Sequence, residues 1–248
     1  MTQTYHSIAY AGFEVANPVS LAAILALAAR TGLAAGARVL DIGAGAGGVS
    51  VALAKRFDFQ VHAIERYADM ADMIRDRAAQ AAVADRVTVV AEGSATALDR
   101  LAPADLIVAL GSTEPAGPGL RSAADIFARL SDRLASPGWL LWGDLTWKGE
   151  PPAPLRQVIG ATGDYATHEG WLEAAAAAGL EVISAGIAPD ADWDAFFGGA
   201  DARVRAWLDA QPDDPAAPAI RARADLTRAT FAFGRPWLAF GLYLFRKP

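Results

Sequence analysis

The sequence predicts an α/β protein: a doubly wound, mostly parallel sheet covered by helices. Three observations carry this expectation. Short apolar runs alternate with helical patterns along the chain, an order that requires crossover connections and therefore parallel strands. The first of these runs, Arg38-Val39-Leu40-Asp41-Ile42, stops in a glycine-rich turn, Gly43-Ala44-Gly45-Ala46-Gly47-Gly48, and continues as a helix. Acids stand at the ends of the first two runs, Asp41 and Glu65, where an open sheet of this kind holds its ligands.

Each element has a local reason. Residues 1–37 are expected to form a lid segment and a helix over 18–31, opened by Asn17-Pro18 and closed by Gly32. The strand at 38–43 leads into glycines because a Cβ would obstruct both a sharp turn and a close ligand. The helix at 47–57 then points its free N–H groups back at that ligand. Strands follow at 60–65, 87–91, 105–110, 138–145 and 181–187, with helices at 68–82, 120–135 and 167–178. A Pro-Gly turn at Pro137 leads into the fifth strand, and the last run, 237–246, arrives without a crossover helix of the same kind. Residues 38–145 form the ligand-binding core of what reads as one domain spanning 1–248.

Two segments fall outside the alternation and are expected to cap the site. One, 146–166, carries Pro151, Pro152 and Pro154; the other, 189–235, carries Trp193, Phe196, Phe197, Trp207 and Phe231. All seven tryptophans lie between Trp139 and Trp237. Large rings with one polar handle suit a flat or apolar substrate, so Tyr10 of the lid and Trp147, Trp193 and Phe197 are the candidate substrate contacts.

Composition narrows the partners. With 53% apolar and 20% charged residues in 248, the chain can bury a substantial core. Its net charge of −6 and the lack of a Lys/Arg cluster with interleaved aromatics remove the electrostatic footprint of a nucleic-acid binder. A small-molecule substrate is favoured, and a homodimer stays open. There is no cysteine, and His6, His62 and His168 do not form a metal-ligand spacing, so no metal is expected. No signal-peptide pattern or membrane-length apolar run is visible, and a cytoplasmic location is expected.

The glycines alone leave two ligand classes open. Gly43, Gly45 and Gly48 satisfy G-x-G-x-x-G, and Glu65 lies about 20 residues on, as a nicotinamide or flavin fingerprint requires. Asp41 opposes that reading, because a carboxylate beside a pyrophosphate is repelled. The string Val39-Leu40-Asp41-Ile42-Gly43-Ala44-Gly45-Ala46-Gly47 instead resembles the first motif of class I S-adenosylmethionine-dependent methyltransferases. That cofactor carries an ammonium and a ribose diol and no phosphate, which suits acids and backbone amides. The resemblance extends through Arg86–Ala95, Ala104–Thr113 and Gly138–Asp144 as third, fourth and fifth strands. It implies a Rossmann-like, seven-stranded sheet with an antiparallel last strand and a helical cap. Asn17-Pro18-Val19-Ser20, Gly143 to Trp147, Asp192-Trp193-Asp194 and Ala210 to Pro215 resemble a group of bacterial stand-alone members.

The resemblance also implies site roles. Asp41, Gly43, Ala44, Gly45 and Gly47 would shape the methionine pocket, and Glu65, with Arg66 beside it, would hold the ribose hydroxyls. Ser94 and Ala95 would border adenine; relatives commonly have an acid at Ser94, so a hydroxyl or a backbone group would replace that contact. Leu110, Gly111 and Ser112 would face the methionine and sulfonium region. Methyl transfer needs a nucleophile held in line, water excluded and sometimes a base. Asp144 after the fifth strand, Glu114 after the fourth and His6 in the lid are the candidates, Glu114 standing where the group often has a histidine. Three competing readings share the sequence: a dinucleotide or flavin oxidoreductase, a non-methylating S-adenosylmethionine-binding protein, and an enzyme that uses the bound sulfonium for another reaction.

Overall fold

A computed structural model describes residues 4–248; the first three residues of the expected lid lie outside the described residues. The elements in chain order are α1 (Tyr5–Tyr10), α2 (Leu21–Arg30), β1 (Arg38–Ile42), α3 (Gly48–Phe57), β2 (Gln60–Ile64), α4 (Ala68–Gln80), β3 (Val87–Val90), α5 (Ser94–Arg100) and β4 (Ala104–Leu110). They continue as α6 (Ala123–Asp132), β5 (Leu134–Trp147), α7 (Ala153–Gly160), α8 (His168–Ala177), β6 (Glu181–Ile187), α9 (Asp190–Ala210), α10 (Ala217–Gly234) and β7 (Leu238–Lys247). The seven strands form one sheet in the order β3-β2-β1-β4-β5-β7-β6. β1 to β5 run parallel, and β7 is antiparallel to both of its neighbours, β5 and β6.

Strands buried on both faces read as nearly continuous apolar runs, and β1 and β4 do so because helices cover both sides of the sheet. On one face, Val39 and Leu106 pack with Ile24, Leu53 and Ile74 from α2, α3 and α4. On the other, Leu40, Ile107 and Trp142 pack with Phe127 of α6 and Trp171 of α8. Each fully buried ring or large aliphatic side chain there contributes about 1.5–3 kcal/mol relative to exposure. Ser20, Ser122 and Thr167 start α2, α6 and α8 by accepting the backbone N–H of Ala23, Asp125 and Gly170. A third apolar cluster, including Ile8, Val204 and Ile220, joins α1, α9 and α10 into a helical cap.

Some elements differ from the sequence expectation. β5 begins four residues early, at Leu134 rather than at 138. Its register with β4 jumps from Ala104 opposite Leu134 to Leu106 opposite Trp139, so Pro137 and Gly138 lie in an irregular stretch of strand and not in a turn before it. Helix α5 had no periodic signal, since in seven residues it buries only Ala97 and Leu98. In α7 the prolines open a helix rather than interrupting the chain: Pro152 is the N-cap and Pro154 sits in the first turn, where a missing N–H costs nothing. At the free edge, the β6–β7 register shifts between Val182 and Ser184, and Arg30 Nη2 donates to Ile183 O at 2.8 Å. No helix among the described residues is long and apolar enough to cross a membrane.

Candidate active site

Loops at the carboxyl ends of the parallel strands meet the cap around a cavity of about 940 Å³. The glycine turn supplies its floor. Gly43 N and Ala44 N donate to Ile64 O at 2.9 and 3.0 Å, tying the turn after β1 to the end of β2. Gly43 has φ +70°, and a Cβ there would lie 2.5 Å from Ser112 Oγ, so the loops after β1 and β4 touch only because the side chain is absent. Gly111, with φ +57°, is constrained in the same way by Asn17, whose Oδ1 a Cβ would strike. Asn17 Nδ2 in turn donates to Leu110 O at 2.9 Å.

Glu65 fixes the loop electrostatically. Its Oε2 accepts from Gly45 N and its Oε1 from Tyr67 N, both at 2.9 Å. Burial pushes its carboxyl above the usual range, and these backbone N–H groups oppose that shift. Arg66 lies beside it, its guanidinium 4.9 Å from the Tyr67 ring centre and donating to Tyr67 Oη at 2.9 Å. Glu65, Arg66, Gly43 and Gly45 all line the cavity.

Alternation along β1 turns Asp41 toward α3, and the structure places it behind the glycine turn rather than on the large cavity. Its Oδ2 accepts from Ser50 Oγ at 2.5 Å. Burial raises its pKa to about 6; the Ser50 hydrogen bond works against the shift and the nearby Glu65 charge adds to it. Asp41 and Ala44 line a separate void of about 30 Å³ under the turn. Gly47 is also outside the large cavity; a Cβ there would lie 2.8 Å from Ile74 Cγ2, so its small size serves the packing of α3 on α4. These three residues shape the loop from below.

Ser94, Ala95, Leu110, Gly111 and Ser112 line the cavity. Ser94 Oγ donates to Glu114 O at 2.8 Å, which joins the loops after β3 and β4. Glu114 lines the wall with φ +53°, a left-handed conformation uncommon for a residue with a side chain. His6 stacks on Tyr67 with ring centres 5.4 Å apart. Burial lowers its pKa, Arg223 and Arg66 add to the effect, and Asp69 opposes it. Tyr10 lies flat on Phe196 at 5.6 Å, closing the roof between α1 and α9.

Asp144 is the acid of the deep end. It is 7% exposed, and its Oδ1 accepts from Leu145 N at 2.8 Å. Among the described residues no Lys, Arg or His forms an ion pair with it. Burial raises its pKa to about 7, and only the Leu145 N–H opposes the shift. Tyr165 shares this end of the cavity, its hydroxyl 3.0 Å from Thr162 Oγ1. Burial raises its pKa first and the Asp144 charge second.

The expected tryptophan contacts are corrected. Trp147 points to the opposite sheet face from Asp144 and packs in the core beneath Arg156. Trp193 is 4% exposed and stands behind Phe197, with ring centres 4.7 Å apart, while the Arg235 guanidinium covers it at 5.6 Å. Of the proposed substrate contacts, Tyr10 and Phe197 reach the cavity, joined by Tyr165, Phe231 and Phe240. Sequence reasoning missed Asn17, Tyr67, Tyr165 and Arg223 as lining residues; Asn17 carried a signal only as the start of a helix.

Known proteins share this fold. Residues 39–132 match the family described as a methyltransferase domain. The protein YjhP of Escherichia coli is 25% identical over 212 residues, 84% of each chain, and its crystal structure superposes with a TM-score of 0.82 at 22% identity, covering 98% of this chain and 99% of that one. A methyltransferase from Geobacter sulfurreducens, solved with S-adenosylhomocysteine, gives a TM-score of 0.83 at 24% identity over 100% of this chain and 99% of that one. One from Thiobacillus denitrificans, also with S-adenosylhomocysteine, gives 0.82 at 24% identity with the same coverage. The chain therefore has the fold of class I S-adenosylmethionine-dependent methyltransferases, and its residues 39–132 are similar to a methyltransferase domain.

Proposed function

We propose that the chain transfers a methyl group from S-adenosylmethionine to a small-molecule acceptor held beneath the helical cap. The observation that carries this reading is the continuity of one cavity from Gly45 and Glu65 to Asp144 and the cap rings. Its volume, about 940 Å³, is near the upper end for a single ligand, about 300–1,000 Å³, and suits a cofactor and an acceptor side by side.

The residues fit the cofactor. The turn offers a path free of Cβ at Gly45, and Glu65 presents a carboxylate for hydroxyls at the cavity. When bound, S-adenosylmethionine supplies a methyl group activated on a positive sulfur. Glu65 is assigned to the ribose hydroxyls, Ser94 and Ala95 to the adenine border, and Leu110 to Ser112 to the methionine side. Asp144, which titrates near neutrality, accepts a proton from the acceptor. His6 and Tyr10 close the roof and keep water out, which strengthens every electrostatic contact inside. Glu114 shapes the wall through its backbone bond with Ser94.

Calorimetric titration with S-adenosylmethionine, S-adenosylhomocysteine and NADH tests the reading. Saturable binding of the two sulfur nucleosides and none of NADH is expected. Glu65→Ala should weaken them by about 1.5–3 kcal/mol, the scale of a hydrogen bond to a charged group, or about 10- to 150-fold in Kd. A folded protein that binds neither sulfur nucleoside would sink the proposal.

A further inference from the structure

Asp144 stands out among the buried acids. Asp41 has Ser50 as a partner, and Glu65 is held by two backbone N–H groups. Among the described residues Asp144 has a single hydrogen bond, from the amide next to it, through Oδ1. Among the described residues its Oδ2 has no partner, and the residue lines the cavity, so this oxygen is reachable from inside it. Tyr165 stands near it, and the rings Phe197, Phe231 and Phe240 line the same cavity from the other face of the sheet. A carboxylate in such surroundings is costly unless a positive group joins it, and aromatic faces favour a cation over a neutral group.

We infer that the acceptor is an amine: a compound with an apolar body among the cap rings and an ammonium that supplies the missing counter-charge to Asp144 Oδ2. This rests on the methyl-transfer reading above. The ammonium passes one proton to the carboxylate, which frees the nitrogen lone pair. That pair forms the N–CH3 bond as the S–CH3 bond breaks and its electrons remain on sulfur, leaving a neutral thioether, a methylated ammonium and a protonated Asp144. A carboxyl raised to about 7 by burial is a better proton acceptor for this step than one at its ordinary value. An alcohol would also donate a hydrogen bond to Oδ2 and leave the buried charge unbalanced.

The test is calorimetric binding to the full chain, with and without saturating S-adenosylhomocysteine. The probes are benzylamine and phenethylamine, compared with benzyl alcohol and phenethyl alcohol of the same shape. The amines should bind at least about tenfold more tightly than their alcohols at pH 8. The preference should shrink as pH falls through 7 and disappear in Asp144→Asn, whose intact fold is verified by unchanged S-adenosylhomocysteine binding. Alcohols that bind as well as amines, or an amine preference that survives in Asp144→Asn, would overturn the inference. The pH series in the unmutated protein decides the matter should the variant fold poorly. Loss of the amine preference with S-adenosylhomocysteine binding intact removes the amine alone, whereas absent nucleoside binding removes the methyl-transfer reading, because the amine arms are measured without it.

Discussion

Gly111→Ala is the most informative single change in the cavity wall. Gly111 sits at φ +57°, and a Cβ would strike Asn17 Oδ1. A left-handed backbone costs a residue with a side chain about 1–2 kcal/mol. Displacing Asn17 also breaks the Asn17–Leu110 hydrogen bond, worth about 0.5–1.5 kcal/mol. The sum, about 1.5–3.5 kcal/mol, corresponds to a Tm lower by about 3–14 °C in a domain of this size. Thermal unfolding of Gly111→Ala, Asn17→Ala and the double variant isolates the collision. Asn17→Ala alone loses only the hydrogen bond, and with Asn17 shortened the new methyl no longer meets its amide. The double variant should thus be no less stable than Gly111→Ala by itself. Strictly additive losses, or a Gly111→Ala Tm within about 1 °C of the unmutated protein, would refute this account of the wall.

Two further outcomes follow from burial. The carboxyls of Asp144 and Asp41, raised to about 7 and about 6, bind protons in the folded chain at pH values where the unfolded chain has released them. Their contribution to stability is therefore present at low pH and is lost as pH rises through those values; Asp144→Asn should raise Tm at pH 8 and flatten its rise between pH 8 and pH 5, and a variant with an unaltered slope would contradict the assignment. Trp193→Ala should cost about 3–5 kcal/mol in urea unfolding, as for a ring removed from a packed interior, while Phe197→Ala, with one side already open to the cavity, should cost less; the reverse order would place the cavity on the wrong side of Phe197.

The sheet and the lining of the cavity at the strand ends were legible because their causes are local. Apolar runs ending in Gly43 and in Glu65 write both the strand and the ligand loop into contiguous residues, and Leu110 to Ser112 follow from the same logic one strand over. The cap was legible only in outline. Tryptophan invites a binding role by its area, yet that area is equally what a core consumes, and Trp147 and Trp193 pack where sheet and cap are closed. Which side of a ring stays open depends on how α9 and α10 meet, and no spacing encodes that. Asn17 was missed for a related reason: its side chain bonds Leu110, 93 positions away, and beside Pro18 it reads as a helix start. Asp41 shows the opposite case, a residue singled out for the cavity whose carboxylate is turned by strand alternation toward Ser50.

The guanidinium of Arg30 at the border of the sheet affects how the chain meets others of its kind. A strand with one free side offers a row of unpaired carbonyls and amides on which another strand can add. β6 is such a strand, and its Val182 and Ile187 are each 45% exposed, which would make it adhesive. At its middle the spacing of those groups is disrupted by the register shift, and the carbonyl of Ile183 is already taken by a positive charge. An eighth strand would have to evict Arg30 before it could form its first bonds there.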